Sequence, residues 1–283
     1  MAYLEFEIPV RSWDSNDREI LIARMAHVGF EGFAEDQDLI QAYIPEEQFS
    51  DDRFNRLVDE LGDGGIRVQY RFHVTEEQNW NEEWEKSFKP VVIGGEVLIR
   101  APFHDPAKDL PCTLVIEPKM SFGTGHHHTT RLMIEGMMGL QLKGKTVLDM
   151  GCGTGVLGIF AVRMGARRVL AIDRDQWAYE NALENAERNQ ARLLEVRLGD
   201  VSCLEGEMFD IILANITRNT LVQDIPAYHV HLKDGGTLMV SGILAEDVEY
   251  VFNAAYQAGL DHQGTMEASN WILLTFVKPM VNR

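Results

Sequence analysis

Three glycines at alternate positions, Gly151, Gly153 and Gly155, separate a short apolar run at residues 147–148 from a helical pattern over residues 156–164. This order predicts a buried strand, a tight turn and a helix. Glycine has no Cβ, so the backbone of such a turn can approach a ligand closely, and the helix N-terminus offers free N–H groups to an acidic ligand group. These residues therefore predict a site for a nucleotide-sized ligand.

The glycine spacing and a downstream carboxylate narrow the choice of ligand. Dinucleotide sites of the form G-x-G-x-x-G need glycine at position 156, where this chain has Val156. The next predicted strand, residues 168–173, ends at Asp173, whose carboxylate can accept hydrogen bonds from both hydroxyls of a ribose. The combination resembles the S-adenosylmethionine site of class I methyltransferases, and a nicotinamide enzyme is the less favoured alternative. The resemblance implies an α/β fold with a doubly wound, mostly parallel seven-stranded sheet.

Strand and helix patterns alternate through the rest of the chain, as a doubly wound sheet requires. Two terminal strands, near residues 263–267 and 271–277, are predicted to close the sheet as a hairpin. The methyltransferase domain is therefore predicted to span residues 91–283.

The composition is that of an ordinary soluble globular protein of 283 residues, 45% of them hydrophobic. No apolar run reaches the length of about 18 to 20 residues that spans a bilayer, and the first residues lack the basic start and apolar centre of a signal peptide. The cysteines Cys112, Cys152 and Cys203 form no C-x-x-C pair and are predicted to be free thiols. We therefore expect a cytoplasmic protein. Its oligomeric state does not follow from these features, and we expect a monomer.

The net charge of −18 argues against a protein that grips naked nucleic acid, because such proteins usually carry a basic patch. Half of this charge lies in residues 1–75, which contain sixteen acidic residues, seven arginines and no lysine. Strand and helix patterns in this segment follow the order βαββαβ, which predicts a ferredoxin-like α+β domain. We interpret it as a recognition module because it contains no catalytic cluster, and a purely structural appendage is the open alternative.

Between the predicted domains, residues 76–90 form a charged segment with Trp80, Trp84 and Phe88 at helical spacing. The pattern predicts a connecting helix whose aromatic stripe packs between domains rather than on a ligand. A connection of this kind would also let the two domains reorient.

A second glycine-rich run, residues 121–130, contains Phe122, Gly123 and three adjacent histidines. Adjacent side chains in a loop diverge, and no matching cluster of metal ligands occurs elsewhere in the sequence, so a metal site is not predicted. We expect instead that the loop folds over the cofactor, with Thr129 or Thr130 offering a hydroxyl at the start of the following helix.

Together these motifs resemble those of the PrmA family, bacterial methyltransferases of ribosomal protein eleven of the large subunit. Besides the acidic first domain, the matching stretches are Trp80-Asn-Glu-Glu-Trp84, Phe122-Gly-Thr-Gly-His-His-His-Thr-Thr130, Asp149-Met-Gly-Cys-Gly-Thr-Gly155, Ala214-Asn-Ile216 and Ser241-Gly-Ile-Leu244. The resemblance implies methyl transfer from S-adenosylmethionine to lysine ε-amines and the N-terminal α-amine of that basic protein, up to trimethylation. It also implies that the acidic domain binds the substrate.

The resemblance assigns roles to individual residues. Asn215 falls on the asparagine beside the transferred methyl group and is the candidate catalytic residue. The candidate cofactor-binding residues are Thr130, Gly151, Gly153, Gly155, Asp173, Asn215, Phe122, Gly123 and, by a weaker match, Asp200. The chain departs from the family pattern at Phe103, where tryptophan is common, and at Asn270, where an acid is common.

Amine methylation constrains what Asn215 can do. An ammonium has no lone pair, and deprotonating a lysine at neutral pH costs about 4 to 5 kcal/mol. The uncharged amide of Asn215 can accept an amine hydrogen and orient the lone pair while water removes the proton. Two alternatives stay open at this point: a class I methyltransferase acting on RNA or a small molecule, and a non-catalytic module that binds S-adenosylmethionine.

Overall fold

The computed structural model describes residues 3–11, 13, 15–35, 38–63, 66–75, 88–105, 110–119 and 121–280. The chain divides into two compact units, Met1–Ser87 and Phe88–Arg283. Most of the predicted connecting helix, including Trp80 and Trp84, lies outside the described residues.

The first unit follows the element order βαββαβ. Its elements are β1 (Tyr3–Pro9), α1 (Ser15–His27), β2 (Gly32–Glu35), β3 (Leu39–Pro45), α2 (Asp51–Asp63) and β4 (Arg71–Thr75). The strands form an antiparallel sheet in the order β2-β3-β1-β4. Phe6 at the centre of β1 is fully buried, with the ring centroids of Phe30, Phe54 and Phe72 at 5.1, 4.8 and 4.9 Å. One face of the alternating strand β1 therefore forms the core of this unit.

The second unit contains a large and a small sheet. Its strands are β5 (Val91–Ile93), β6 (Val97–Arg100), β7 (Cys112–Val115), β8 (Thr146–Met150), β9 (Arg168–Asp173), β10 (Leu194–Leu198), β11 (Phe209–Asn215), β12 (Leu232–Leu244), β13 (Asp261–Ala268) and β14 (Trp271–Val277). Its helices are α3 (His128–Met138), α4 (Val156–Arg163), α5 (Gln176–Arg188), α6 (Arg218–His231) and α7 (Val248–Gln257). The small sheet has the order β5-β6-β7, and the large one β10-β9-β8-β11-β12-β14-β13. The five neighbouring strands β10, β9, β8, β11 and β12 run parallel, and β14 is antiparallel to both of its neighbours. This confirms the predicted mostly parallel seven-stranded sheet.

The central strands of the large sheet are covered on both faces. All five residues of β8 are buried. Val147 belongs to a core that includes residues of α3 and α4, and Leu148 to a core that includes residues of α6 and α7. Burial on both faces explains why these strands read as continuous apolar runs. None of the helices within the described ranges combines the length and apolarity needed to cross a membrane.

The parallel strands end at one edge of the sheet, where the candidate residues meet. Strand β8 pairs with β9 on one side and with β11 on the other, so the strand order reverses at β8. Gly151 follows β8, while Asp173 and Asn215 end β9 and β11. Ligands of doubly wound sheets bind at such a reversal, so the topology places these three residues at the expected site.

Strand β12 is longer than its pattern predicts, because it begins at Leu232 rather than near Thr237. Gly235 and Gly236 resemble a turn, but Gly235 N–H donates to the Lys278 carbonyl at 2.8 Å and Lys278 N–H donates to the Gly236 carbonyl at 3.0 Å. Pairing with the chain after β14 keeps this segment extended. The terminal hairpin of β13 and β14 is observed as predicted.

Candidate active site

A cavity of about 1220 Å³ lies at the carboxyl edge of the large sheet. The candidate residues that line it are Phe122, Gly151, Gly153, Asp173, Asp200 and Asn215. Gly123, Thr130 and Gly155 are not at its surface and belong to the loop and helices that support it. Thr129 lines the cavity and its neighbour Thr130 does not, although both residues are fully buried.

The turn after β8 needs glycine for the packing of the protein as well as for a ligand. Gly151, Gly153 and Gly155 have φ values of +69°, +53° and +76°. A Cβ at Gly151 would lie 2.2 Å from Ile216 Cγ2, and one at Gly153 would lie 2.2 Å from the Phe122 carbonyl oxygen. The missing Cβ atoms therefore let two neighbouring segments approach the turn and form the cavity wall.

Thr154 joins the loop around Phe122 to the glycine turn. Its backbone N–H donates to the Phe122 carbonyl at 2.9 Å, and its hydroxyl donates to the Gly123 carbonyl at 2.8 Å. Thr154 is fully buried, so these bonds are shielded from water. Sequence reasoning missed this residue, although a hydroxyl side chain inside a glycine motif was an available signal.

Two buried asparagines, Asn185 on α5 and Asn189 at its C-terminal cap, join α5 to neighbouring segments. Asn185 Nδ2 donates to the Thr154 carbonyl at 3.0 Å, while Asn185 Oδ1 accepts from Glu117 N–H at 2.8 Å. Asn189 Oδ1 accepts from Val115 N–H at 2.9 Å. One helix therefore fixes both the end of β7 and the glycine turn. Sequence reasoning missed these residues, whose signal was the four-residue spacing of asparagines on one helix.

The Asp173 carboxylate is held by backbone groups and keeps capacity for a ligand. Its Oδ2 accepts from Gly153 N–H at 2.9 Å, and its Oδ1 accepts from Asp175 N–H at 3.0 Å. A carboxylate offers about four lone-pair positions, so each oxygen can accept one further hydrogen bond. The orientation suits a ligand with two adjacent hydroxyls.

Asp149 is a buried acid directly before the glycine turn. Its Oδ2 accepts from Gly158 N–H at 2.8 Å, in the first turns of α4. Burial raises the pKa of this carboxyl to about 7, against the lowering effect of the Gly158 hydrogen bond, and the charge of Asp173 adds to the rise. The site therefore contains a carboxyl that titrates near neutral pH, which sequence reasoning did not identify.

Asp149→Asn is expected to remove a pH dependence of stability. Because the folded pKa of about 7 exceeds the ordinary value of 3.8, the folded chain retains a proton that the unfolded chain releases. The stabilising contribution is present below about pH 4 and is lost as the pH rises to about 7. Relative to the variant, the unfolding free energy of the native chain should fall by about 4 kcal/mol over this interval. Urea unfolding from pH 4 to 8 measures this, and parallel curves for the two proteins would contradict it.

Asn215 lines the cavity and carries an unpaired acceptor atom. Its Oδ1 is buried and has no hydrogen-bond partner among the described residues. Buried polar atoms are usually paired, so an unpaired one at a cavity wall indicates a ligand or substrate group. The hydroxyl oxygen of Thr130 is likewise buried and unpaired within the described ranges, but behind the cavity surface.

The three adjacent histidines make separate contacts. His126 Nε2 lies 2.9 Å from the Lys89 carbonyl, and His127 Nδ1 accepts from Thr129 N–H at 3.3 Å to cap α3. Burial lowers the pKa of His127, and the neighbouring His128 lowers it further. Over the part of the chain that the structure describes, no group of three or more His, Cys, Asp or Glu side chains is arranged to hold a metal ion.

The cavity is also lined by the predicted Asp200 and by residues that were not among the predicted site residues. Asp200 lies there with its Oδ1 accepting from Ser202 N–H at 2.9 Å, and hydrogen bonding from Ser202 lowers the pKa of its carboxyl. Trp177, which is 76% exposed, Asp224 and Trp271 also line the cavity. Their positions depend on the packing of helices and strands, so no local sequence motif predicts that they line the cavity.

The residues at this cavity fit S-adenosylmethionine. The glycine turn leaves backbone accessible where a Cβ would obstruct it, Asp173 has lone pairs left for ribose hydroxyls, and Asn215 offers an unpaired acceptor. A polar nucleoside group and a reacting amine can both be accommodated by this set.

Comparison with known proteins identifies the family. The family model "Ribosomal protein L11 methyltransferase (PrmA)" matches residues 10–279. The chain belongs to this family. A PrmA relative from Porphyromonas gingivalis, ribosomal protein L11 methyltransferase, is 43% identical over 260 residues, covering 91% of this chain and 90% of the relative. The protein of the same name from Phocaeicola vulgatus is 38% identical over 282 residues, covering 98% and 99%.

Solved structures support the same fold. A ribosomal protein L11 methylase from Lactobacillus delbrueckii subsp. bulgaricus has a TM-score of 0.63 and 27% identity, covering 68% of this chain and 100% of that chain. A methyltransferase from Pyrococcus furiosus is 18% identical with a TM-score of 0.50, and the match covers 59% of this chain and 90% of that chain. This similarity shows the shared fold alone. The α/β methyltransferase fold implied by the sequence is therefore confirmed.

The two departures from the PrmA pattern lie away from the cavity surface. The Phe103 ring packs against His104 at 4.7 Å and against Phe88 at 6.2 Å. Asn270 lies in the turn between β13 and β14 with φ of +68°, a left-handed conformation that asparagine tolerates better than most residues. Neither change alters the residues that line the cavity.

Proposed function

We propose that this chain is an S-adenosylmethionine-dependent protein N-methyltransferase whose substrate is ribosomal protein L11. The acceptors are lysine ε-amines and the N-terminal α-amine, methylated up to three times. Membership of the PrmA family and the names of the relatives support the substrate. The observation that carries the chemistry is that Asn215 lines the cavity and that its buried Oδ1 has no hydrogen-bond partner among the described residues.

The cofactor-binding roles follow from the contacts of each residue. S-adenosylmethionine, when bound, supplies an electrophilic methyl group on a positively charged sulfur. Asp173 binds the ribose hydroxyls, and the turn at Gly151 and Gly153 provides close backbone contact. The loop at Phe122, joined to the turn by Thr154, restricts access of water to the reacting groups.

Asn215 orients the acceptor amine. A neutral amine can donate an N–H to the amide oxygen, which directs its lone pair away from Asn215 and into the cavity. An uncharged acceptor suits this role, because a carboxylate would stabilise the ammonium form that cannot react. In this proposal the proton leaves to water rather than to a residue of the cavity wall.

The first unit is proposed to be a ferredoxin-like domain that docks the basic substrate. Its element order and the strand order β2-β3-β1-β4 support the fold. The negative charge of this unit, half of the total, supports attraction of a basic protein and argues against direct binding of nucleic acid. The chain is proposed to act as a cytoplasmic monomer.

Neutralising an exposed acidic surface of this unit is expected to weaken substrate capture. The four changes are Glu46→Gln, Glu47→Gln, Asp51→Asn and Asp52→Asn, all at exposed positions. The KM for ribosomal protein L11 should rise about tenfold at low salt and less at high salt, because screening already weakens the attraction. The cofactor dissociation constant and kcat should not change. Steady-state kinetics at two ionic strengths measure the effect.

A matched variant of the second unit controls for net charge. It neutralises four exposed acids there, Glu205, Glu249, Asp261 and Glu267. The KM of this control should stay close to that of the native chain. An equal rise for both variants would assign the effect to overall charge and would contradict docking on the first unit.

The proposed function is tested with methyl-labelled S-adenosylmethionine and two separate acceptors, purified ribosomal protein L11 and ribosomal RNA. We expect label in the protein alone, with peptide mapping locating successive methyl additions on lysine and N-terminal amines. Label in RNA would favour the RNA methyltransferase. Cofactor binding by calorimetry without turnover on any acceptor would favour the non-catalytic module.

A further inference from the structure

Three aromatic side chains form a continuous wall of the cavity. The rings of Phe122 and His127 have centroids 5.0 Å apart at 61°, and those of His127 and Trp271 are 4.6 Å apart at 70°. All three residues line the cavity, and Phe122 is 50% exposed. We call Phe122, His127 and Trp271 the aromatic wall. Aromatic rings that line a cavity together indicate a ligand group that benefits from contact with them.

Sheet order places Trp271 on the acceptor side of the cavity. Asp173 ends β9, two strands from β11, and Trp271 begins β14, two strands from β11 in the opposite direction. At a strand spacing of about 4.8 Å, strand β11 lies about 10 Å across the sheet from each of these two strands. Asn215 pairs with Ser241, while Trp271 pairs with Leu244, so Trp271 is further along the carboxyl edge. The wall therefore extends from the glycine turn to the side of Asn215 opposite the ribose-binding acid.

Repeated methylation creates a need that Asn215 cannot meet. The neutral amine has two N–H groups before the first transfer, one before the second and none before the third. In the third round the nitrogen lone pair bonds the methyl carbon, the carbon–sulfur bond breaks with its electrons on sulfur, and a quaternary ammonium results. A dimethylamine has no hydrogen to donate to Asn215 Oδ1, so its orientation must come from contacts with its methyl groups.

Aromatic faces supply such contacts. Tryptophan and phenylalanine attract methylated ammonium groups through the negative face of the ring, and their apolar surface packs against the methyls. His127 contacts both other rings, and its Nδ1 is engaged in the α3 cap. Burial and the neighbouring His128 lower the pKa of His127, which favours the uncharged ring and so weakens repulsion of a cation.

We infer that Phe122 and Trp271, positioned by His127, form a subsite for the N-methyl groups of partly and fully methylated acceptor amines. This inference rests on the proposed amine methyltransferase function and adds a division of labour to it. Asn215 orients the unmethylated and monomethylated amine, and the aromatic wall orients the dimethylated amine.

Trp271→Leu tests the subsite through the distribution of products. Time courses of intact ribosomal protein L11 by mass spectrometry give the rate of each methyl addition. We expect the first addition to stay within about threefold of the native rate and the third to slow about tenfold, so that dimethylated product accumulates. Trp271→Phe, which keeps an aromatic ring, should make the third addition at a rate between those of the native chain and Trp271→Leu. The inference would be overturned if Trp271→Leu slowed all three additions equally, or if it made the third addition at the rate of the native chain.

Phe252→Leu is the matched control. Phe252 contacts His262 and Phe276 with centroids 5.6 and 6.3 Å away, is 39% exposed, and does not line the cavity. Phe252→Leu should make all three methyl additions at the rates of the native chain. Thermal unfolding and S-adenosylhomocysteine binding by calorimetry verify that each variant folds and retains the cofactor site.

A binding measurement separates this inference from the proposed function. The full chain with S-adenosylhomocysteine is titrated with Nε-trimethyllysine amide and, separately, with lysine amide. We expect the native chain to prefer the trimethylated compound about tenfold and Trp271→Leu to lose the preference. A native chain that fails to methylate ribosomal protein L11 would refute the proposed function, whereas absence of a preference for the trimethylated compound would refute the subsite.

Discussion

Replacing Asn215 with alanine is expected to lower kcat for the first methyl addition about a hundredfold, while cofactor affinity changes by less than about threefold. Asn215 lines the cavity, and its buried Oδ1 has no hydrogen-bond partner within the described ranges, so in our proposal it accepts from the acceptor amine. Loss of that bond lets the amine rotate, and reactions of this kind are sensitive to the alignment of the lone pair. Single-turnover kinetics with ribosomal protein L11 and calorimetry with S-adenosylhomocysteine measure the two quantities.

Two further variants define what Asn215 contributes. Asn215→Asp places an ionised carboxylate beside the amine, which stabilises the ammonium form and should shift the rise in rate to higher pH. Asn219→Ala removes an exposed asparagine whose Oδ1 accepts hydrogen bonds from Arg218, and it should leave turnover unchanged. Full turnover together with native cofactor affinity in Asn215→Ala would exclude the orienting role.

The parts of the site that sequence patterns predicted are those encoded over a few adjacent residues. The three glycines from Gly151 to Gly155 and the acid Asp173 follow buried strands, and parallel strands end at a common edge. The strand pattern alone singled out Asp173, whereas Asn215 was singled out by the resemblance to the PrmA family. The order βαββαβ of the first unit followed from periodicity in the same way.

Contacts between distant segments could not be predicted in this way. The hydrogen bonds from Thr154 to the carbonyls of Phe122 and Gly123 join residues about thirty positions apart, and the ring contact between His127 and Trp271 is longer still in sequence. Neither leaves a local periodicity. Side-chain orientation within a helix is equally hidden, which is why the pattern could not decide that Thr129 rather than its neighbour faces the cavity.

The pKa of Asp149 is another property that the pattern could not supply. An acid before a glycine turn reads as an ordinary polar residue, and only the packing around β8 buries it. Burial then raises its pKa to about 7. Titration behaviour therefore followed from the tertiary structure, although the residue type was visible from the start.

Gly153→Ala is expected to weaken cofactor binding at least about a hundredfold, because the added methyl group forces the Phe122 loop away from the glycine turn. A Cβ at this position would lie 2.2 Å from the Phe122 carbonyl oxygen and 3.1 Å from its carbon, and φ at Gly153 is +53°. The obstructing atoms are backbone, so a side-chain rotation cannot relieve the collision. The loop at Phe122 must move away and lose the two hydrogen bonds to Thr154, which disorganises the turn that contacts the ligand.

Gly206→Ala separates this collision from the cost of the backbone conformation alone. Gly206 has φ of +77°, and a Cβ there meets no atom within 4 Å. It should therefore lose only about 1 to 2 kcal/mol of stability from the left-handed conformation and keep native affinity for S-adenosylhomocysteine in calorimetry. If Gly153→Ala also bound the cofactor with native affinity, the Phe122 loop would have to yield without cost, and its attachment through Thr154 could not be what shapes the site. If both variants lost affinity equally, backbone strain rather than the approach of Phe122 would explain why this turn requires glycine.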